Sequence, residues 1–170
     1  MENNMVTVGQ GPSAAFTIHN TLGDADISMS NNSTDSDSFV WNFGDGNSSI
    51  ATNPTLSYEG EGSYEIMLIA MNECGFDTAR QVVEIIFAPN PTITTSETSG
   101  CGPLTVVFEA NPQGDNYTYD WTFPGGSPAT SDQAVVTVIY DIPGQYMADL
   151  TVTNAAGSGT NSTIEMITIV

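Results

Sequence analysis

The chain of 170 residues carries 20 acidic residues, a single arginine and no lysine, for a formal net charge of −19. A phosphate backbone or an anionic bilayer would meet no counter-charge on it, which excludes nucleic-acid and anionic-membrane binding. At 39% hydrophobic and 9% aromatic residues it is no disordered tail, and no apolar run approaches the ~18 residues of a membrane helix.

The carboxylates are an ordinary share of the chain; the basic side is what is missing. That balance, with abundant Thr, Ser and Asn, reads as an extracellular or cell-surface protein. Met1-Glu2-Asn3-Asn4-Met5 has neither a basic nor an apolar segment, so it is no signal peptide. The expectation is a piece of a longer secreted precursor.

Residues 1–11 are polar and read as a flexible lead-in. Ala15–Ile18 and Asp26–Ser30 alternate as strands, with Ile27 and Met29 inward. Phe39-Val40-Trp41-Asn42-Phe43 puts three rings on one face and stops in Gly44-Asp45-Gly46, a turn sequence. Leu56 and Tyr58 follow on a short strand. Gly60-Glu61-Gly62 then turns into a strand whose inward set is Tyr64, Ile66, Leu68 and Ala70. Asn72–Gly75 turns, and Gln81–Phe87 closes the unit. Short strands with turn signals every 8–12 residues predict an all-β sandwich.

Pro89 and Pro91 mark a short Pro-containing linker, after which the pattern returns. Trp121 lies 80 positions after Trp41, while Tyr140, Tyr146 and Asn154 lie 82 after Tyr58, Tyr64 and Asn72. The chain is therefore a tandem repeat with two residues inserted between the Trp strand and the Tyr strand. The predicted domains are 12–88 and 89–170, after the lead-in.

Trp41-Asn42-Phe43-Gly44-Asp45-Gly46, Asn53-Pro54-Thr55-Leu56-Ser57-Tyr58 and Gly62-Ser63-Tyr64-Glu65-Ile66 resemble the signature runs of the PKD (polycystic kidney disease-type) domain. Trp121-Thr122-Phe123-Pro124-Gly125-Gly126 departs from the signature but is similar to its F-P-G-G variant. The run Gly100–Val106 is similar to multidomain surface proteins of Bacteroidota. The resemblance implies two immunoglobulin-like sandwiches of a kind found beside proteases and chitinases and in adhesive repeats. Such modules act as spacers or engage protein or polysaccharide, without catalysis.

The residues themselves agree on the last point. His19 is the only histidine and has no partner in view, and no Ser or Cys stands in a nucleophile context. The expected function is a non-catalytic spacer and adhesion-type interaction module of a large extracellular protein. The alternatives are an accessory polysaccharide- or protein-binding module on a secreted hydrolase, and a repeat of a self-associating surface fibre. Expected partners are neighbouring repeats of the same protein and extracellular protein or polysaccharide.

Calcium is the one cofactor with ligands available, from Asp24, Asp26, Asp35, Asp37 and Asp45, or from Glu73 and Asp77. Against it, no segment has a regular calcium-loop spacing, and Asp45 has its own turn backbone to bond. The outward set Glu65, Met67, Ile69 and Met71 carries three apolar residues, which read either as partly covered by neighbours or as an interaction face. Cys74 lies between the last two strands of unit one and Cys101 between the first two of unit two. Their pairing with each other needs the units side by side; with units end to end, each is an inter-repeat disulfide candidate.

Overall fold

The computed structural model describes residues 9–163 and 167–170. The chain divides into two compact units, Met1–Phe87 and Ala88–Val170, and has no helix among the described residues.

The first unit contains β1 (Phe16–His19), β2 (Asp26–Asn31), β3 (Ser38–Asn42), β4 (Ser48–Ser49), β5 (Thr55–Ser57), β6 (Gly62–Asn72) and β7 (Gly75–Ile85). They form two antiparallel sheets, ordered β1-β2-β5 and β4-β3-β6-β7. Period-two alternation supplies the core: Phe16, Ile27 and Met29 from one sheet, Trp41, Ile66, Leu68 and Val83 from the other. Full burial of each such side chain contributes about 1.5–3 kcal/mol.

β7 starts six residues before the expected Gln81, and its first half reads poorly as a strand for a physical reason. Its inward residues there are Asp77, Ala79 and Gln81, paired with the inward residues Ala70, Leu68 and Ile66. Two of them bond backbone instead of packing. Asp77 Oδ2 accepts the Ala14 N–H at 2.8 Å, and Gln81 Nε2 donates to the Phe16 carbonyl at 2.6 Å. The Ala14 bond also holds the Asp77 carboxyl below its ordinary pKa. The last residues of the expected lead-in are likewise tied down, since Asn72 Nδ2 donates to the Gln10 carbonyl at 2.8 Å. Residues 1–8 of that segment lie outside the described residues.

The second unit contains β8 (Thr92–Thr95), β9 (Ser99–Gly100), β10 (Leu104–Asn111), β11 (Thr118–Thr122), β12 (Thr130–Ser131), β13 (Val135–Tyr140), β14 (Gly144–Tyr146), β15 (Asp149–Asn154), β16 (Gly157–Ser162) and β17 (Ile167–Ile169). Sheets β13-β10-β8 and β12-β11-β15-β16 repeat the two sheets of the first unit. A third, β14-β17-β9, contains a parallel β9–β17 pair. β14 and β15 take the place of the continuous β6. At the break, Thr163 exchanges bonds with Ala148, its N–H to the carbonyl at 2.9 Å and its Oγ1 from the amide at 3.0 Å.

Pro89 and Pro91 are buried in the second unit. Asn161 Nδ2 donates to the Pro91 carbonyl at 2.8 Å, and a Cβ on Gly159 would overlap the Pro89 carbonyl oxygen. Only glycine lets that backbone lie directly against β16.

The signature loops explain the repeat. Each Trp indole donates to a carbonyl at 2.9 Å, Trp41 to Ala51 and Trp121 to Gln133. Phe43 N–H bonds the Asn47 carbonyl at 3.1 Å, whereas Phe123 N–H bonds the Ala129 carbonyl at 2.8 Å. The two inserted residues therefore sit inside the signature loop itself. In the shorter loop Asp45 accepts the Asn47 N–H at 2.9 Å and its side-chain amide at 2.8 Å. Gly44 there has φ 80°, in the left-handed region. The longer loop turns at Gly125, φ 78°, and reaches across to β13, where Ser127 and Ile139 exchange two backbone bonds of 2.9 Å.

The loop change re-partners a buried tyrosine. Tyr58 Oη donates to the Phe43 carbonyl at 2.7 Å. The equivalent Phe123 carbonyl is taken by Gly126 N–H at 3.0 Å, and Tyr140 Oη is left with no partner among the described residues. Each buried tyrosine stacks on the ring of a corner tyrosine, Tyr64 at 4.0 Å and Tyr146 at 4.6 Å. Both corner hydroxyls donate back four residues, to the Gly60 and Ile142 carbonyls, the tyrosine corner of immunoglobulin-like sandwiches.

Candidate interaction face

β6 is the third of four strands in its sheet, so its outward side chains are flanked by those of β3 and β7. Register lines them up in rows. Ser38, Met71 and Phe76 form one row; Val40, Ile69 and Thr78 the next; Asn42, Met67 and Arg80 a third; Glu65 and Val82 stand beyond. Met67, Ile69, Met71 and Val40 are half-buried by these neighbours, while the edge residues Phe76 and Val82 are 75% and 60% exposed. The predicted outward trio therefore forms the floor of the patch, and its exposed apolar surface comes from β7.

Sequence reasoning missed Phe76 and Val82. The signal was the alternation Phe76, Thr78, Arg80, Val82, which only registers once β7 is carried back to Gly75.

Arg80, the chain's single cation, bonds Glu65 across the strands, and both side chains are more than half exposed. Such a pair adds little stability. It does neutralise the one carboxylate among these rows, which leaves an uncharged apolar patch on an acidic protein.

The second unit supplies an internal control. Its equivalent rows are Thr118, Thr153 and Ser158; Asp120, Thr151 and Thr160; Thr122, Asp149 and Ser162. Val40, Met67, Ile69, Met71 and Phe76 are each replaced by a hydroxyl or carboxylate residue, and Thr153 bonds Ser158 at 2.7 Å, while Met147, 45% exposed, stands where the first unit has Glu65. The same three rows thus fold with polar side chains alone. The apolar face of the first unit is not a requirement of the fold.

Among the described residues, no three of His, Cys, Asp and Glu stand close enough to hold a metal ion, so the five Asp candidates are not gathered into one site. Asp24 accepts the Asp26 N–H at 3.0 Å and Asp45 is engaged by Asn47. Asp35, with φ 52°, and Asp37, whose N–H bonds the Met71 carbonyl, hold the turn before β3. An open groove of about 790 Å³ runs over β1, β2 and β5, lined by His19, Asp26, Ser28, Thr55 and Ser57 among others. His19 Nε2 is within 2.9 Å of Ser30 Oγ. Tyr117 and Tyr119 are half-buried and pack against the core of the second unit. Cys74 and Cys101 are both exposed and unpaired.

Comparison with known proteins agrees with this architecture. Residues 11–87 and 91–166 each match a profile of the PKD domain. The pre-pro-metalloprotease PrtV of Vibrio cholerae is 28% identical over 148 residues, which is 82% of this chain and 16% of that protein. Collagenase ColQ1 of Bacillus cereus is 34% identical over 89 residues, 52% of this chain and 8% of the collagenase. The chain therefore spans a small part of the curated relatives it matches. The crystal structure of the PKD1 domain from PrtV is 30% identical, covers 45% of this chain and 98% of that one, and superposes with a TM-score of 0.41. The chain belongs to the PKD-domain family, as two consecutive PKD domains with an immunoglobulin-like β-sandwich fold.

Proposed function

We propose that this tandem is a non-catalytic accessory module of an extracellular protein, and that its first domain binds a protein partner through the outer face of β3, β6 and β7. The observation that carries this reading is Phe76, three-quarters exposed beside half-buried Met71, a pair whose counterpart in the second domain is Ser158 and Thr153. Exposed aromatics ringed by half-buried apolar side chains are the usual anchors of protein interfaces. The relatives supply the setting, since a metalloprotease and a collagenase carry the same kind of domain. The parent protein is then a secreted hydrolase or an adhesin, with the tandem as spacer and contact.

Protein is favoured over polysaccharide by where the rings lie. Trp41, Trp121, Phe43, Phe123, Tyr58 and Tyr140 are all buried. Phe76 alone offers no coplanar pair for sugar stacking.

Co-sedimentation of the chain with insoluble collagen, chitin and cellulose tests this. The chain should sediment with the protein fibre, and Phe76→Ser should lower the bound fraction. Sedimentation with a polysaccharide only, or with none of the three, would count against the proposal.

A further inference from the structure

The two cysteines occupy complementary places in the repeat. In the first domain Cys74 is at the tip of the β6–β7 hairpin, where β7 begins. Its N–H donates to Asn72 Oδ1 at 2.8 Å, and a Cβ on Gly9 would stand 2.7 Å from its sulfur. In the second domain Cys101 lies in the turn after β9, where β17 ends. Val170 N–H donates to the Gly100 carbonyl at 3.0 Å, and the Val170 carbonyl accepts Gly102 N–H at 3.3 Å, so Cys101 is held between those two bonds. In the frame of one domain, Cys74 marks the hairpin end of the closing strand and Cys101 the opposite end.

Neither place carries a thiol in the other domain. Ala156 N–H donates to Asn154 Oδ1 at 2.9 Å as Cys74 does to Asn72, so alanine stands at that hairpin tip. Gly23 N–H bonds the Ile86 carbonyl at 3.2 Å as Gly102 does Val170, so Leu22 stands in the place of Cys101. Both thiols are exposed and unpaired.

We infer that the two form a head-to-tail disulfide between domains of successive copies, the Cys101 turn of one with the Cys74 hairpin of the next. A disulfide brings its Cα atoms to within about 7 Å, so the flanking residues must tolerate close approach. Two Cys74 tips would bring together two copies of the neighbouring carboxylate Glu73. The run Gly100-Cys101-Gly102-Pro103 carries no charge and has glycine on each side of the thiol. That run adds no carboxylate of its own to the acidic hairpin, and Asp141 is the acidic residue whose backbone lies against Gly102.

The reaction needs an oxidant, and a low-molecular-weight disulfide supplies it. The thiolate of one cysteine attacks that disulfide and releases one small thiol. The second thiolate attacks the mixed disulfide and releases the other. Two protein thiols become one S–S bond while one small disulfide becomes two small thiols, and protons and electrons balance.

Oxidised glutathione added to the concentrated chain, followed by non-reducing electrophoresis and peptide mapping, tests the inference. The wild type should give a ladder beyond the dimer, every junction mapping to Cys74–Cys101. Cys74→Ser and Cys101→Ser, both at exposed positions, should each dimerise only slowly alone and form no ladder. Their equimolar mixture should give a dimer at least about tenfold faster than either variant alone. A monomer with both sulfurs joined within one chain overturns the inference. So does dimerisation of either single variant at the rate of the mixture, or a wild type that keeps both thiols free while unfolded chain cross-links.

Discussion

Two tyrosines at equivalent positions should respond oppositely to loss of their hydroxyls. In Tyr58→Phe the buried bond to the Phe43 carbonyl, 2.7 Å long, disappears and the carbonyl is stranded. A net hydrogen bond contributes about 1 kcal/mol, and an unsatisfied buried group costs about 1–3 kcal/mol. The first domain should therefore lose about 2 kcal/mol. In Tyr140→Phe no bond is lost, because Gly126 holds the Phe123 carbonyl and the Tyr140 hydroxyl has no partner among the described residues. Removing a buried, unpartnered hydroxyl should leave the second domain unchanged or stabilise it by about 1 kcal/mol. Native-state amide hydrogen exchange on the full chain reads each domain separately, through the slowest amides of β3 and β6 and of β11 and β15. Tyr58→Phe should speed exchange in the first domain roughly 30-fold. Tyr140→Phe should leave the second domain's exchange equal or slower. Comparable acceleration by both substitutions would refute the reasoning.

Two further outcomes follow from the same loops. Burial pushes both Tyr58 and Tyr140 up to about 12, with the Asp45 charge a lesser cause at Tyr58 and the Tyr146 ring hydroxyl at Tyr140. A folded pKa above the unfolded value of about 10 means stability held in full below pH ~10 and lost as pH rises through about 12, on the order of 3 kcal/mol per group. Absorbance titration near 295 nm should show two of the six tyrosines ionising last, with unfolding in that window. Gly125→Ala meets φ 78° and the Tyr146 ring, whereas Gly46→Ala meets φ 94° and open space. Thermal unfolding should register about 3 kcal/mol for the first and about 1 kcal/mol for the second.

The sandwich was legible wherever inward positions are apolar: Phe39, Trp41 and Phe43, or Tyr64, Ile66 and Leu68, point to one side by simple alternation. The start of β7 was not, because Asp77 and Gln81 face inward to bond the backbone of residues 14 and 16. That blind spot also hid Phe76, so the sequence offered the half-buried Met67, Ile69 and Met71 without the exposed ring beside them. The inserted pair could be counted from the spacing of the Trp and Tyr residues. Its place inside the signature loop depended on strand register, which pairs Trp41 with Ser49 and Trp121 with Ser131. Of the five Asp candidates, Asp45 was legible as turn chemistry from its Gly-Asp-Gly setting, and Asp24 accepts a bond in its own turn as well.

The most direct measurement is the equilibrium affinity of the chain for the protein fibre of the sedimentation test, compared among the wild type, Phe76→Ser and Ser158→Ala, its counterpart in the second domain. A buried aromatic anchor is worth about 2 kcal/mol or more at an interface. Phe76→Ser should therefore weaken binding about 30-fold, and Ser158→Ala should leave it unchanged. Equal affinity of all three proteins would contradict the assignment of the first domain's outer sheet as the binding face.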